Sequence, residues 1–353
     1  MSTTRSSQTL RLSSSAVRTA VFAMSLGLAT ACGGGAKPAA TTPSGPSEPS
    51  DNTPITDPPK PPKATGNPLK GVKLWVDPES LAQARANALR PTEPAKAALL
   101  DKIAKQPQAM WLGEWNSDVF RKVQYVTNMA AKDGALPIFV AYNVPGRDCG
   151  QHSAGGLKTA DMYRRWIRKV AAGIGENGAV VVLEPDSLGL VDNCLTPEQV
   201  EERMFLLHDA IKVLRQNPKT IVYLDGLHSK WAEVDVIVER LKKAGVEDAH
   251  GFSINTSNYR ADDELIPYGK AVSEKLGGAH FVIDTSRNGA GPKDVEWCNP
   301  PGRKLGKPPT TETGSDVIDG FLWLKRPGES DGECNGGPRA GVWWDEAAMS
   351  LAK

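Results

Sequence analysis

The chain has 353 residues, with 42 basic and 41 acidic side chains and a net charge of +1. That length allows one large domain or two smaller ones. The charge balance excludes strong electrostatic attraction to nucleic acid or to an anionic membrane surface.

In chain order, the first element reads as an export signal. Arg5, Arg11 and Arg18 precede an apolar stretch from Ala20 to Ala31. It is short for a bilayer span, and Ala29-Thr30-Ala31 is a small-x-small cleavage site, so residues 1–31 are expected to be removed. Cys32 follows directly, which also resembles a lipobox in which that Cys carries lipid. Leu28 sits one position early for that pattern, so plain secretion and lipidation at Cys32 both stay open. Residues 32–66 are Pro, Thr, Ser and Gly with almost no large apolar side chain. Such a stretch cannot bury enough surface to order itself, and it reads as an extended spacer.

Residues 67–353 alternate between two patterns. Short apolar runs predict strands at Val72–Val76, Ala109–Leu112, Pro137–Tyr142, Val180–Leu183, Thr220–Leu224, Phe252–Asn255, Phe281–Ile283 and Phe321–Leu324. Continuous runs of this kind suit strands buried on both faces. Amphipathic stretches at Ala160–Ala172, Pro197–Leu214 and Lys230–Lys243 predict helices between them. Thr196 with Gln199 forms a capping-box pattern ahead of the second. The alternation implies an α/β fold with a parallel sheet, most simply closed as a (β/α) barrel.

Polar residues follow nearly every predicted strand. Tyr142 to Asp148 follow one, Glu184 and Asp186 the next, then Asp225 and His228, Asn255 and Asn258, Asp284 and Arg287, and finally Lys325, Glu329 and Asp331. In a parallel barrel these ends share one face, where the active site lies. Cys149, Cys194, Cys298 and Cys334 suggest two disulfides in an exported domain. Three pairings are possible. Cys149 with Cys194 and Cys298 with Cys334 is favoured, because each pair flanks a candidate site loop. The spacings fit no zinc pattern, and no metal or cofactor is expected.

Three aspartates stand out: Asp148, Asp186 and Asp331. Each has a bland alternative. Asp148 could pair with Arg147, Asp186 could cap a strand end, and Asp331 could serve the turn before Gly332. Together on one face, paired carboxyl groups suit glycoside hydrolysis, in which one acid protonates the leaving oxygen. A further carboxylate nearby would raise the proton affinity of that acid. Nine Trp against seven Phe and six Tyr fits the same reading. About half should be core, and the rest can present flat apolar faces to sugar rings.

The sequence resembles glycoside hydrolase family 6, inverting β-1,4-glucanases and cellobiohydrolases, from about Pro68 to the C-terminus. The similarity rests on motifs in order: Met110-Trp-Leu-Gly-Glu-Trp, Tyr142-Asn-Val-Pro-Gly-Arg-Asp-Cys-Gly, Val182-Leu-Glu-Pro-Asp-Ser-Leu, Tyr223-Leu-Asp-Gly-Leu-His-Ser-Lys-Trp, Gly251-Phe-Ser-Ile-Asn-Thr-Ser-Asn-Tyr, Phe281-Val-Ile-Asp-Thr-Ser-Arg-Asn-Gly, Trp297-Cys-Asn and Trp323-Leu-Lys-Arg-Pro-Gly-Glu-Ser-Asp-Gly. The resemblance implies that Asp186 is the general acid and that Asp148 raises its proton affinity. It implies that Asp331 is the proposed base, a role in dispute within the family. Tyr142 then helps distort the reacting ring, and Ser153 lies on a mobile loop that positions water. Trp111, Trp231 and Trp297 match sugar platforms; His228, Asn258, Lys325 and Glu329 match hydrogen-bonding groups of the cleft. The implied fold is a distorted, incompletely closed parallel barrel, so one of the eight predicted strands should fall outside the closed sheet.

The short Lys304–Phe321 segment and the single helix expected between Trp231 and Gly251 leave little chain for enclosing loops. The expectation is therefore an open groove and internal cleavage of a β-glucan by a monomer. The alternatives are exo-acting cleavage, or a surface lipoprotein that binds glycan without cutting it.

Overall fold

In a computed structural model that describes residues 47–353, seven strands form one parallel sheet in sequential order. Residues 1–46, including the proposed leader and Cys32, lie outside the described residues. Among the described residues two helices come first, α1 (Leu81–Leu89) and α2 (Pro94–Ala104), followed by an alternation: β1 (Met110–Leu112), α3 (Val119–Lys132), β2 (Ile138–Ala141), α4 (Ala160–Ile174) and β3 (Ala179–Leu183). Next come a short α5 (Val191–Cys194), α6 (Pro197–Leu214), β4 (Thr220–Asp225), α7 (Val234–Lys243), β5 (Gly251–Ile254), α8 (Asp262–Lys275), β6 (His280–Asp284), β7 (Ile318–Leu322) and α9 (Asp345–Leu351).

The central strands read as unbroken apolar runs because both their faces are covered. Side chains alternate between the faces. Ile138, Val140, Val180, Val182, Tyr223 and Val282 point to an inner core. Phe139, Val181, Leu183, Val222, Leu224 and Phe281 point to the helical layer. The sheet thus curls around its own interior. Between β1 and β7 no strand ladder forms. The edges meet instead through the Ala109 N–H, which donates to the Trp323 carbonyl at 2.9 Å, and the Arg326 Nε–H, which donates back to the Ala109 carbonyl at 3.0 Å. Trp323, α1, α2 and α9 pack a separate apolar cluster over this seam.

The predicted Val72–Val76 strand reduces to one bridge, Leu74 with Leu136. It is the run that falls outside the sheet. The helix expected from Lys230 begins at Val234, because Lys230, Trp231 and Ala232 form the turn before it. The capping box at α6 is present as expected: the Gln199 N–H donates to Thr196 Oγ1 at 3.3 Å and the Thr196 N–H to Gln199 Oε1 at 2.9 Å.

Part of the proline-rich stretch has partners on the domain. Lys169 on α4 pairs with Asp51 at 2.8 Å, and Arg164 pairs with Asp57. Arg165 and Arg168 donate to the carbonyls of Thr53 and Thr56 at 2.7 and 2.8 Å. Arg215 donates to the Pro62 carbonyl at 2.9 Å, and Lys60 reaches Asp248 at 3.3 Å. These contacts use charges and backbone carbonyls of the segment; cations on α4 and beyond α6 supply most partners, and Asp248 receives Lys60.

Candidate active site

The loop after β2 carries the first group of predicted residues. Asp148 and Cys149 both hold positive φ, 58° and 48°, a conformation that costs a non-glycine residue about 1 kcal/mol or more. The Cys149–Cys194 disulfide, with Cα atoms 5.6 Å apart, ties this strained turn to α5. Arg147 is buried behind the turn. It donates to both carboxylate oxygens of Glu114 at 2.6 and 2.8 Å, to the Tyr142 carbonyl at 2.7 Å and to the Ser153 carbonyl at 2.8 Å. Its ion-pair partner is thus Glu114 rather than Asp148, which removes the bland alternative for Asp148. The Asp148 carboxylate instead accepts the Ser153 N–H at 2.6 Å. Ser153 is therefore placed by its backbone, half-buried beside Asp148. The loop returns through Gly156 at φ 87°, where an added Cβ would lie 2.1 Å from the Val144 carbonyl oxygen.

At the end of β3 the two carboxylates separate. Glu184 and Asp186 have φ of 49° and 67°, which breaks strand alternation. The Glu184 side chain is fully buried. It accepts backbone N–H groups of Asn143, at 2.9 and 3.1 Å, and Val144, at 3.1 Å. It thereby anchors the loop that bears Asp148. Burial pushes its carboxyl up to about 7, against the pull of those N–H donors. Asp186 lies instead among Asp225, Asp148, Tyr142 and Lys325. Its proton affinity is raised well above the ordinary carboxyl range by burial first, then by the Asp225 and Asp148 carboxylates. The Tyr142 hydroxyl and the Lys325 ammonium oppose that rise. Asp148 is itself raised, chiefly by burial.

Asp225, at the end of β4, is buried and accepts four groups. These are the N–H of Asp186 at 3.2 Å and of Leu227 at 3.3 Å, and the hydroxyls of Thr256 at 2.7 Å and Ser253 at 3.2 Å. Burial raises it to about 6. Asp284, at the end of β6, accepts N–H groups of Ser257, Ser286, Leu324 and Lys325 at 2.9 to 3.2 Å. Glu184, Asp225 and Asp284 share one task. Each strand-end carboxylate satisfies the otherwise orphaned backbone donors of a neighbouring loop. Sequence inspection placed these residues on the right face without separating anchors from reactive groups.

The loop after β7 holds Asp331 in a saturated network. Arg287 donates to both its oxygens at 2.9 Å, the Tyr259 hydroxyl donates at 2.9 Å and the Asn299 N–H at 3.1 Å. Lys325 lies 3.5 Å away. Burial alone would raise Asp331, but the Arg287 and Lys325 cations outweigh it and hold the carboxyl below its usual range. Asp331 is therefore held by far more than a turn, and Arg287 and Tyr259 are partners that sequence reasoning did not assign to it. Glu329 pairs with Arg326 at 2.8 Å beside the seam. Cys298 and Cys334 form the second expected disulfide, with Cα atoms 6.1 Å apart. Asn299, next to Cys298, donates through its amide to the Gly332 carbonyl at 2.8 Å and so fastens the Asp331 loop.

Aromatic side chains border these carboxylates. Trp111 meets Tyr142 edge-on at 5.1 Å between centroids, and its indole N–H donates to the Leu324 carbonyl at 2.8 Å. The Lys325 ammonium lies 5.7 Å from the Trp111 ring. Trp231 lies across Gly189, where a Cβ would come within 2.6 Å of the indole, and beside His228 at 5.6 Å. Burial and Arg260 push His228 down to about 4, so its ring is neutral. Trp297 meets His152 at 5.8 Å, and His152 also packs on Gly332, so the Asp148 and Asp331 loops touch there. Asn258 is half-buried on the loop after β5. The structure thus gathers Tyr142, Asp148, Asp186, Trp111 and Lys325 into one electrostatic unit. Asp331 joins it through Lys325, and His228 with Trp231 stand on the β4 side.

Residues 69–353 match the family model described as Glycosyl hydrolases family 6. Endoglucanase A of Cellulomonas fimi is 44% identical over 282 residues, covering 79% of this chain and 61% of that protein. The chain thus spans less than two thirds of that relative's length. Endoglucanase 1 of Streptomyces halstedii is 42% identical over 287 residues, covering 79% of this chain and 88% of that protein. Among solved structures, the endoglucanase Cel6 from Mycobacterium tuberculosis, in complex with methyl-cellobiosyl-4-deoxy-4-thio-β-D-cellobioside, superposes with a TM-score of 0.76 at 43% identity. That match covers 81% of this chain and 98% of the other. The chain belongs to glycosyl hydrolases family 6.

Proposed function

We propose that this chain hydrolyses β-1,4-glucosidic bonds within β-glucan chains, with inversion at the anomeric carbon. The observation that carries the proposal is the Asp186 carboxyl, half-buried just past the end of β3, where the Asp225 and Asp148 carboxylates act on it beside the Trp111–Tyr142 pair. Asp186 stays protonated there because burial and the neighbouring charge disfavour its anion. It donates that proton to the glycosidic oxygen as the C1–O bond breaks. The cationic sugar that develops is stabilised by the Asp148 carboxylate, held by the Ser153 N–H. Water attacks C1 from the opposite face, and its proton leaves to solvent or to a base. Asp331 is ionised, but every oxygen is engaged and its proton affinity is depressed. A depressed carboxylate is a weak base, so its role in this scheme is a fixed negative charge that orients water.

The relatives named endoglucanases favour internal cleavage in an open groove. Two disulfides suit an oxidising compartment, and with residues 1–31 they support export. Lipid attachment at Cys32 belongs to the same proposal and is read out by mass spectrometry of the mature N-terminus. The test of activity is reducing-sugar release from carboxymethylcellulose by the wild type and by Asp186→Asn. Release by the wild type and a loss of about a thousandfold or more in the variant support the proposal. No release by the wild type would leave a glycan-binding protein, and equal release by both would remove Asp186 from its role.

A further inference from the structure

Nine tryptophans are present, and among the described residues three reach the exposed class: Trp115 at 51%, Trp231 at 36% and Trp297 at 43%. All three lie on segments that leave the C-terminal ends of strands, Trp115 after β1, Trp231 after β4 and Trp297 after β6. Trp231 and Trp297 match sugar platforms by resemblance. Trp115 has no such assignment. From its position and its fixed orientation we infer that Trp115 is a further sugar-binding platform, which stacks a pyranose ring of a longer glucan at the β1 end of the groove.

The ring is held before any ligand arrives. The Gly113 N–H donates to Asn116 Oδ1 at 3.0 Å and the Asn116 N–H to the Gly113 carbonyl at 3.0 Å, which closes a tight turn around Trp115. The indole folds back on Gly113, where a Cβ would meet the ring at 2.4 Å. The Arg147 guanidinium lies 5.2 Å from the Trp115 ring and 4.7 Å from the Tyr142 ring. One immobile cation, itself fixed by Glu114 and three backbone carbonyls, therefore sets Trp115 beside the tyrosine of the reacting centre. Beyond Gly113 and Arg147, 51% of the Trp115 surface stays exposed, and an aromatic surface whose orientation is already fixed loses little entropy on stacking. Glucan rings present axial C–H groups to such a face, and this arrangement suits an uncharged sugar chain. The site serves only chains long enough to pass Tyr142 and continue past β1.

The inference rests on the glucan-hydrolase reading above, and the test separates the two. The readout is kcat/KM for cellohexaose divided by kcat/KM for cellotetraose. Trp115→Ala should lower this ratio about tenfold, and Trp115→Phe should recover most of it. A purely structural role would lower both values together and leave the ratio at its wild-type level, which would overturn the inference. Gly113→Ala keeps the indole and displaces it, so it should lower the ratio as well; it carries the test if Trp115→Ala fails to fold. If the wild type cleaves no glucan, the activity reading fails separately. Calorimetric titration with cellohexaose then decides: about tenfold weaker binding by Trp115→Ala supports the platform, and equal affinity or no wild-type binding overturns it.

Discussion

Replacing Asp225 with Asn tests how the acid is kept protonated. Asp225 Oδ2 lies 3.2 Å from the Asp186 backbone nitrogen, and after burial its charge is the largest influence raising the proton affinity of Asp186. At an effective dielectric of about 20, two unit charges about 6 Å apart repel by about 3 kcal/mol, which would raise the pKa of an acid by about 2 as an upper limit. In the proposed mechanism activity requires protonated Asp186, so the alkaline limb of the kcat/KM profile should report the loss of its proton. Removing the neighbouring charge lowers the proton affinity of Asp186, and that limb should move down by about one to two pH units. Asp225 itself titrates at about 6, so the variant and wild-type profiles should converge in shape below that pH. Asp148→Asn should move the limb in the same direction but by less, because Asp148 stands behind Asp225 among the charges acting on Asp186. The assay is initial-rate hydrolysis of a soluble cello-oligosaccharide from pH 4 to 9. An alkaline limb that stays in place, or moves upward, in Asp225→Asn would refute the electrostatic reasoning.

Three further outcomes are expected. Burial raises Glu184 from the ordinary carboxyl value of 4.5 to about 7 in the folded state. The native state thus holds a proton that the unfolded state has released, and stability should fall as pH rises from about 4.5 to 7, by about 3 kcal/mol from this group. Thermal melts of Glu184→Gln across that range should show a flatter decline than wild type; parallel declines would count against it. The Cys149–Cys194 bond closes a separation of 45 residues, so Cys194→Ser should cost up to about 4 kcal/mol in denaturant unfolding, and it should lower kcat by freeing the Asp148 turn. Unchanged kcat in a folded variant would mean that the turn holds itself. Removing residues 47–63 should lower stability by about 1–2 kcal/mol at low salt and by less at 1 M salt, because exposed ion pairs carry the contact; a salt-independent loss would contradict that.

Much of the fold was legible because strands covered on both faces leave an unmistakable trace. Val180–Leu183 and Thr220–Leu224 read correctly for that reason. Val72–Val76 carries a similar pattern yet pairs at one point, since the chain crosses Leu136 and moves on; composition does not encode how long two segments run together. The start of α7 was misplaced because Trp231 is apolar and fits helical periodicity, while its indole is committed to Gly189 and the cleft. Within the site, Asp148 and Asp186 were visible through motif spacing. Glu184 was visible but its direction was not, because positive φ at both Glu184 and Asp186 sends neighbouring carboxylates to opposite sides of the strand end. Adjacency offered Arg147 as an alternative partner for Asp148, whereas its guanidinium turns to Glu114, 33 residues away. Arg287 and Tyr259 could have been suspected only as cation and hydroxyl on the same strand-end face as Asp331.

The central claim is that a protonated Asp186 and a water on the opposite sugar face cleave the bond in one displacement. Proton NMR of cellohexaose during its first minutes of hydrolysis tests this directly. The account predicts that the newly formed reducing end appears first as the α-anomer and then relaxes toward the equilibrium mixture. A β-anomer as the first product would contradict it.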